Sequence, residues 1–68
     1  MHHKLIYTRK KAGDSQETLA QLIGCTRQSY SQKERNERDF KLSEAEKIAQ
    51  HYKTTIDDLF EDITQIGL

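Results

Sequence analysis

Apolar residues recur along this chain at the spacing of short amphipathic helices, and runs that alternate apolar and polar residues as a strand does are missing. Helix-forming residues dominate, proline is absent, and the three glycines fall between the apolar groups. The pattern therefore predicts an all-α fold, a compact bundle of five helices. Their approximate bounds are residues 4–11, 16–23, 27–35, 44–52 and 56–60.

Signals for the ends of helices accompany this pattern. Gly13 and Gly24 are expected to end the first and second helices, because glycine adopts the positive φ found there without strain. Ser43, followed three residues later by Glu46, predicts a capping box at the fourth helix. Hydroxyl side chains stand where the other N-caps are needed: Ser15, Thr26 and Thr55.

The apolar positions also define an expected core. The first helix is predicted to turn one face inward, and each later helix contributes one to four apolar side chains. The residues expected inside are Leu5, Thr8, Ala12, Leu19, Leu22, Ile23, Cys25, Tyr30, Ala45, Ile48, Ala49, Tyr52, Ile56, Leu59 and Phe60.

Length and composition narrow the class. A chain of 68 residues forms a single domain, with a core over residues 4–60 and a tail at 61–68. No apolar run is long enough to cross a membrane, and one cysteine excludes an internal disulfide, which favours a cytoplasmic protein. The net charge is zero, but residues 1–41 carry nine Lys or Arg against five Asp or Glu, and residues 42–68 carry two against six. This polarity is compatible with a nucleic-acid partner as well as with simple solubility.

The segment 16–35 carries the most specific pattern. Ala20 is small enough to let a following helix cross closely, and Gly24 suits a tight turn between two helices. The two helices around that turn form a predicted helix-turn-helix. The outward face of its second helix is entirely polar, and Arg and Gln side chains can hydrogen-bond guanine and adenine edges. That face consists of Arg27, Gln28, Ser31 and Gln32, and its simplest alternative is an ordinary solvated helix surface.

This segment resembles a known family. Ser-Gln-x-x-Leu-Ala at 15–20, Gly-Cys-Thr-Arg-Gln at 24–28 and Lys-Glu-Arg-Asn at 33–36 are similar to the helix-turn-helix of phage repressor and Cro proteins, the Cro/CI or XRE family. The resemblance extends from about residue 5 to residue 60, where the ending Thr-Thr-Ile-Asp-Asp-Leu-Phe looks like the family's last helix. It implies a lambda-repressor-like domain that acts as a transcriptional regulator, with the third helix in the major groove of operator DNA.

The resemblance also implies roles for single residues. Arg27, Gln28 and Gln32 match positions that read bases, and Ser31 is expected to read bases with them because it shares their outward face. Arg9 and Glu34 match a salt bridge between the first and third helices. Gln16 matches the family's phosphate contact at the start of the second helix. The other expected phosphate contacts are Thr26, Arg35, Asn36, Arg38 and Lys41.

Two positions depart from the family pattern. Lys33 stands where an apolar residue is usual, so its stem is expected to pack while its ammonium reaches water or phosphate. Thr8 replaces a frequent leucine and weakens the core of the first helix. Glu37 and Asp39 blunt the positive charge of the loop after the third helix, which points to modest non-specific affinity for DNA.

No cofactor, metal site or catalytic group is predicted. Cys25 lies at an apolar position, and His51 suits the end of a helix, where a cation is favoured. A homodimer on a palindromic operator is expected, with Ile63, Ile66 and Leu68 of the tail as its contact. The alternative function is a protein–protein interaction module of the antitoxin or anti-repressor type on the same fold. The acidic second half of the chain favours this alternative.

Overall fold

Five helices and two very short strands make up the described part of the chain. The computed structural model describes residues 1–60 and the backbone of residues 66 and 67. The elements follow in the order α1 (His3–Ala12), α2 (Gln16–Ile23), α3 (Arg27–Glu34), β1 (Phe40–Lys41), α4 (Leu42–His51), α5 (Ile56–Leu59) and β2 (Ile66–Gly67). The predicted helical class is confirmed, and the bounds of α2 agree with the prediction residue for residue.

The signals at the helix ends act as predicted in five places. Gly13 and Gly24 end α1 and α2 in the left-handed conformation, with φ of 79° and 77°. A side chain bearing a β-carbon rarely adopts that conformation, so glycine is suited to both turns. Hydroxyl oxygens of the three other N-caps each accept a backbone N–H three residues ahead: Ser15 from Thr18, Thr26 from Ser29 and Thr55 from Asp58.

The predicted capping box at the fourth helix is wrong. Helix α4 begins at Leu42, so Ser43 lies inside the helix, and Lys41 is the N-cap residue. Glu44 caps the start of the helix by accepting the backbone N–H of Lys41 at 2.9 Å. Glu44 is also the partner of the Lys33 ammonium, a contact between distant residues that local sequence does not reveal.

The core lies between the helices and is built from the apolar faces that the pattern predicts. Its buried members are Leu5, Leu19, Ala20, Ile23, Tyr30, Phe40, Ala45, Ile48, Ala49, Leu59 and Phe60, and Leu22, Cys25, Tyr52 and Ile56 pack against them half-buried. Ala12 is exposed and Thr8 is half-buried, so the prediction for α1 is wrong at its last turn. The inward side of α1 is instead formed by Leu5 and Arg9.

An aromatic cluster joins the start of the chain to the core. The rings of Phe40 and Phe60 meet edge to face with centroids 5.1 Å apart, and Tyr30 lies 6.0 Å from Phe40. The imidazole of His2 is 1% exposed and packs on both phenylalanines, at 5.4 and 5.3 Å. The sequence pattern does not predict this place for His2, because a histidine outside the first helix carries no periodic signal.

The end of the chain returns to the segment after α3. Strands β1 and β2 pair in parallel, with Phe40 opposite Ile66 and Lys41 opposite Gly67. The backbone of Ile66 is thus paired within its own chain, while Ile63 and Leu68, the other two residues expected at a dimer contact, lie outside the described residues. The prediction from sequence contains only helices, so these two paired strands are an addition to it.

Candidate nucleic-acid interface

Helices α2 and α3 pack against each other across a three-residue turn. Ala20 is fully buried at this crossing, and its carbonyl accepts the backbone N–H of Cys25 at 2.9 Å. Gly24 has a φ of 77° and ends α2, and Thr26 caps α3 immediately afterwards. The turn therefore holds the two helices in a helix-turn-helix, with one face of α3 left open to solvent.

The open face of α3 carries the four residues predicted to read bases. Arg27 and Gln28 are exposed, and Ser31 and Gln32 are half-exposed one turn later. Beside them lies an open polar depression of about 270 Å³, lined by Thr26, Gln28, Ser29, Gln32 and Arg38. The structure thus brings Arg38, expected at phosphate, next to two expected base readers, and it adds Ser29, which the sequence did not single out.

A single carboxylate behind this face collects hydrogen bonds from three helices. Glu34, at the end of α3, accepts Nε and Nη2 of Arg9 from α1 at 2.8 and 3.0 Å. It also accepts the hydroxyl of Tyr30 at 2.7 Å and Nε2 of Gln16 at 3.0 Å. Both Arg9 and Glu34 are buried, with side chains 8% and 3% exposed. The expected pair of Arg9 and Glu34 is therefore part of a larger network, which also includes Gln16 and Tyr30.

The network places Gln16 at the first turn of α2 with its amide already engaged. A side-chain amide nitrogen carries two hydrogens, and the bond to Glu34 uses one of them. Gln16 is half-exposed, and it is the first residue of α2, where backbone N–H groups and the helix dipole favour an anion. Glu34 thus orients the residue that is expected to meet a phosphate.

The loop after α3 presents the remaining expected phosphate contacts. Arg35, Asn36, Arg38 and Lys41 are all exposed. Asn36 adopts a left-handed φ of 66°, which asparagine tolerates better than most residues and which reverses the chain after α3. Nε of Arg35 lies 3.0 Å from Glu37 in an exposed ion pair, so part of the positive charge of the loop is balanced locally.

Lys33 does not present its ammonium to water or phosphate, and that expectation is wrong. Its Nζ lies 2.6 and 2.7 Å from the two carboxylate oxygens of Glu44, and both side chains are about one-tenth exposed. A buried ammonium needs such a partner, because leaving water without one is costly. Lys33 therefore ties α3 to α4 at the position where an apolar side chain is usual.

A helix-turn-helix family model matches residues 5–59 of the chain. The chain belongs to the XRE type of helix-turn-helix proteins. Comparisons with curated proteins and with solved structures found no match. As a member of this family, the protein is a DNA-binding transcription regulator.

The other chemistry-bearing side chains of this helix-turn-helix protein lie in structural contacts. Cys25 packs half-buried against the core, and burial raises the pKa of its thiol. His51 lies 3.1 Å from the carboxylate of Asp14, which also accepts the hydroxyl of Tyr52 at 2.8 Å. Within residues 1–60, no group of three His, Cys, Asp or Glu side chains comes together as a metal site requires. None of the described helices is long and apolar enough to cross a membrane.

Acid is expected to destabilise the helix-turn-helix protein through Glu34. Burial raises the pKa of this carboxyl, but hydrogen bonds from Arg9, Tyr30 and Gln16 outweigh it, and the pKa lies below the ordinary value of 4.5. A group with a lowered pKa in the folded state stabilises the fold above its unfolded pKa, and this contribution is lost as the pH falls through the folded value. Chemical unfolding followed from neutral pH into the acid range is therefore expected to show a loss of stability that is smaller in Glu34→Gln, because this variant has no carboxyl to protonate at that position.

A second carboxyl titrates in the same range and provides the comparison. Hydrogen bonds from Tyr52 and His51 lower the pKa of Asp14 as well, so Asp14→Asn removes its share of the pH dependence and leaves that of Glu34. An unchanged pH dependence in Glu34→Gln would show that the network does not hold this carboxylate ionised.

Proposed function

We propose that the protein is a cytoplasmic repressor that binds a palindromic operator as a homodimer, with α3 in the major groove. Each protomer reads a few base pairs with Arg27, Gln28, Ser31 and Gln32. Half-sites about 34 Å apart, one turn of the duplex, fit a pair of such domains. In this proposal the acidic second half of the chain faces away from the DNA, and the tail contributes Ile63, Ile66 and Leu68 to the dimer contact.

The observation that carries this proposal is the polar face of α3 above the network of Glu34. Arginine and glutamine side chains stand exposed on one helix, and their donors and acceptors can form paired hydrogen bonds with guanine and adenine. The same carboxylate holds Gln16 at the start of α2, so the expected base-reading and phosphate-binding groups share one rigid frame. A merely solvated helix face does not require such a frame.

Exposed cations around this face supply the attraction for the DNA backbone. These cations are Arg35, Arg38 and Lys41 in the segment after α3, and the uncharged Thr26 and Asn36 add hydrogen-bonding groups at the start of α3 and after its end. Charged contacts of this kind act on every sequence alike and weaken as salt displaces them from phosphate. Contacts with phosphate therefore position the protein on the duplex and add affinity, while the side chains of α3 recognise the base sequence.

The proposal is tested by selecting bound duplexes from a random pool at two salt concentrations and sequencing them. An enriched palindrome is expected, with binding that falls steeply as salt is added. Gln28→Ala should then weaken binding to that palindrome by about 1–3 kcal/mol and leave binding to random DNA nearly unchanged. Titration of both duplexes with both proteins measures the difference.

Gln50→Ala is the matched control, because Gln50 is an exposed glutamine on α4, away from the proposed interface. It should leave both affinities unchanged. Equal losses of Gln28→Ala on the palindrome and on random DNA would remove Gln28 from the reading face. A pool without any enriched sequence would instead favour the protein-binding alternative on this fold.

A further inference from the structure

The exposed side of α1 is an aromatic and basic surface that the proposed function does not use. Tyr7 stands at its centre with 66% of its surface exposed, the largest exposed fraction among the bulky apolar side chains of residues 1–60. His3, Lys10 and Lys11 lie three or four residues from Tyr7, share this side with it and are exposed. These four residues are called the aromatic–basic face here.

This face contains no negative charge of its own. Residues 1–13 include no aspartate or glutamate. Arg9, the one arginine of α1, is buried in its pair with Glu34. The ammonium of Lys11 lies 5.8 Å from the centroid of the Tyr7 ring, so the ring and the charge are already arranged together. Tyrosine is enriched where proteins bind partners, and the cations around it favour an acidic partner surface.

The aromatic–basic face lies on the side of α1 opposite to its buried residues. Leu5 and Arg9 mark the inward side of α1, and Arg9 reaches the network that holds Gln16 and the end of α3. Tyr7 lies two residues from each of them, which is a rotation of about 200° around the helix. Tyr7 therefore takes no part in the network that supports the proposed reading face.

The chain carries a complementary surface on the neighbouring helix. Asp57 and Asp58 are both exposed in the first turn of α5, and they are called the acidic turn here. Helix α5 packs against α1, so the basic and acidic surfaces belong to adjacent elements of one protomer. The excess of positive charge in residues 1–41 equals the excess of negative charge in residues 42–68.

We propose that the aromatic–basic face of one protomer binds the acidic turn of a second copy of this chain. Adjacent surfaces of opposite charge are self-complementary, because a twofold axis between them pairs each α1 with the partner's α5. Lys10 and Lys11 meet Asp57 and Asp58, and Tyr7 supplies the apolar contact between the charged pairs. This contact forms without DNA, so it does not rest on the proposed function.

The expected affinity is low and depends on salt. Exposed ion pairs contribute little each, so a few of them around one tyrosine support only a weak association. Raising the salt from about 0.05 to 0.5 M is expected to weaken the association at least tenfold, because exposed charges are screened. Contact through the apolar tail would instead persist at high salt. The salt dependence therefore distinguishes association through α1 and α5 from association through the tail.

Charge reversal tests the contact with the full chain. One variant carries Lys10→Glu and Lys11→Glu, and the other carries Asp57→Lys and Asp58→Lys. By sedimentation at low salt, each variant alone is expected to lose the salt-sensitive association at least tenfold, and an equal mixture is expected to regain it. Tyr7→Ala should weaken the association of the otherwise unchanged protein.

A matched control separates the contact from net charge. Lys47→Glu with Lys53→Glu changes the net charge as the α1 variant does, at exposed positions outside both surfaces. It should associate like the unchanged protein. Equal loss in this control, or a mixture of the two reversed variants that remains monomeric, would overturn the proposal.

Folding is checked by circular dichroism, because reversed charges at helix ends oppose the helix dipole. If either reversed chain unfolds, Lys10→Gln with Lys11→Gln takes its place and should abolish the salt dependence of association. A salt dependence that survives this neutral variant would also overturn the proposal. The selection from random DNA is a separate measurement. Self-association and operator binding can therefore be tested independently, and failure of one does not decide the other.

Discussion

Replacing Arg9 by methionine is expected to lower the free energy of unfolding by about 3–5 kcal/mol at neutral pH. The guanidinium gives two hydrogen bonds to Glu34, and both side chains are buried. Methionine keeps much of the packing volume but leaves the Glu34 carboxylate with only Tyr30 and Gln16 as donors. An ionised carboxylate in that position is poorly compensated, so the folded state loses more than the energy of two hydrogen bonds.

Urea unfolding followed by circular dichroism measures this loss. Lys10→Met is the matched control, because Lys10 is the next residue of α1 and is exposed, and its effect should stay within about 0.5 kcal/mol. The difference between the Arg9→Met and unchanged proteins should shrink as the pH falls below the range of carboxyl groups, since a neutral Glu34 does not need the guanidinium. A loss of less than about 1 kcal/mol at neutral pH would contradict the role given to this pair.

The second large effect is expected from Phe40→Ala, which should cost about 3–5 kcal/mol of stability. Phe40 is fully buried, and its ring contacts those of His2, Tyr30 and Phe60. Its truncation leaves a cavity between the start of the chain, the end of α3 and the end of α5. Because Phe40 also lies in β1, the pairing with β2 loses the side chain that anchors it.

Thermal and urea unfolding again provide the measurement. Phe40→Leu keeps most of the volume and should remain folded at a smaller cost, which gives a value even if Phe40→Ala unfolds at room temperature. Tyr7→Ala removes an exposed aromatic ring and should change stability by no more than about 0.5 kcal/mol. If Phe40→Ala and Tyr7→Ala unfold alike, the aromatic cluster does not stabilise the fold.

The sequence predicts the features that depend on neighbours along the chain. The hydroxyl caps at Ser15, Thr26 and Thr55 and the glycine ends of α1 and α2 are local, and the structure contains each of them. The apolar faces of the later helices also follow from periodicity alone. These signals are sufficient to place the helix-turn-helix and the polar face of α3.

Features that depend on contacts between distant residues escape such prediction. Glu44 accepts the backbone N–H of Lys41 at the start of α4 and also binds the ammonium of Lys33 on α3. The local pattern around Ser43 reveals neither contact. His2 is buried because the two phenylalanines, distant in sequence, meet beside it. The resemblance to the repressor family pointed to the pair of Arg9 and Glu34, but not to the inclusion of Gln16 and Tyr30 in the same network.

Because three helices share the carboxylate of Glu34, the protein has little freedom to adjust its shape to a DNA site that it does not fit. The angle between α2 and α3 cannot change without disturbing the part-buried hydrogen bond from Gln16 on α2 to Glu34 on α3, while Tyr30 holds that carboxylate from within α3. In the proposed complex, Gln16 and the reading residues of α3 therefore meet the duplex as one unit, with little conformational entropy left to lose. Adjustment then falls to the DNA, and base pairs that no side chain touches influence affinity through the ease with which they bend or twist.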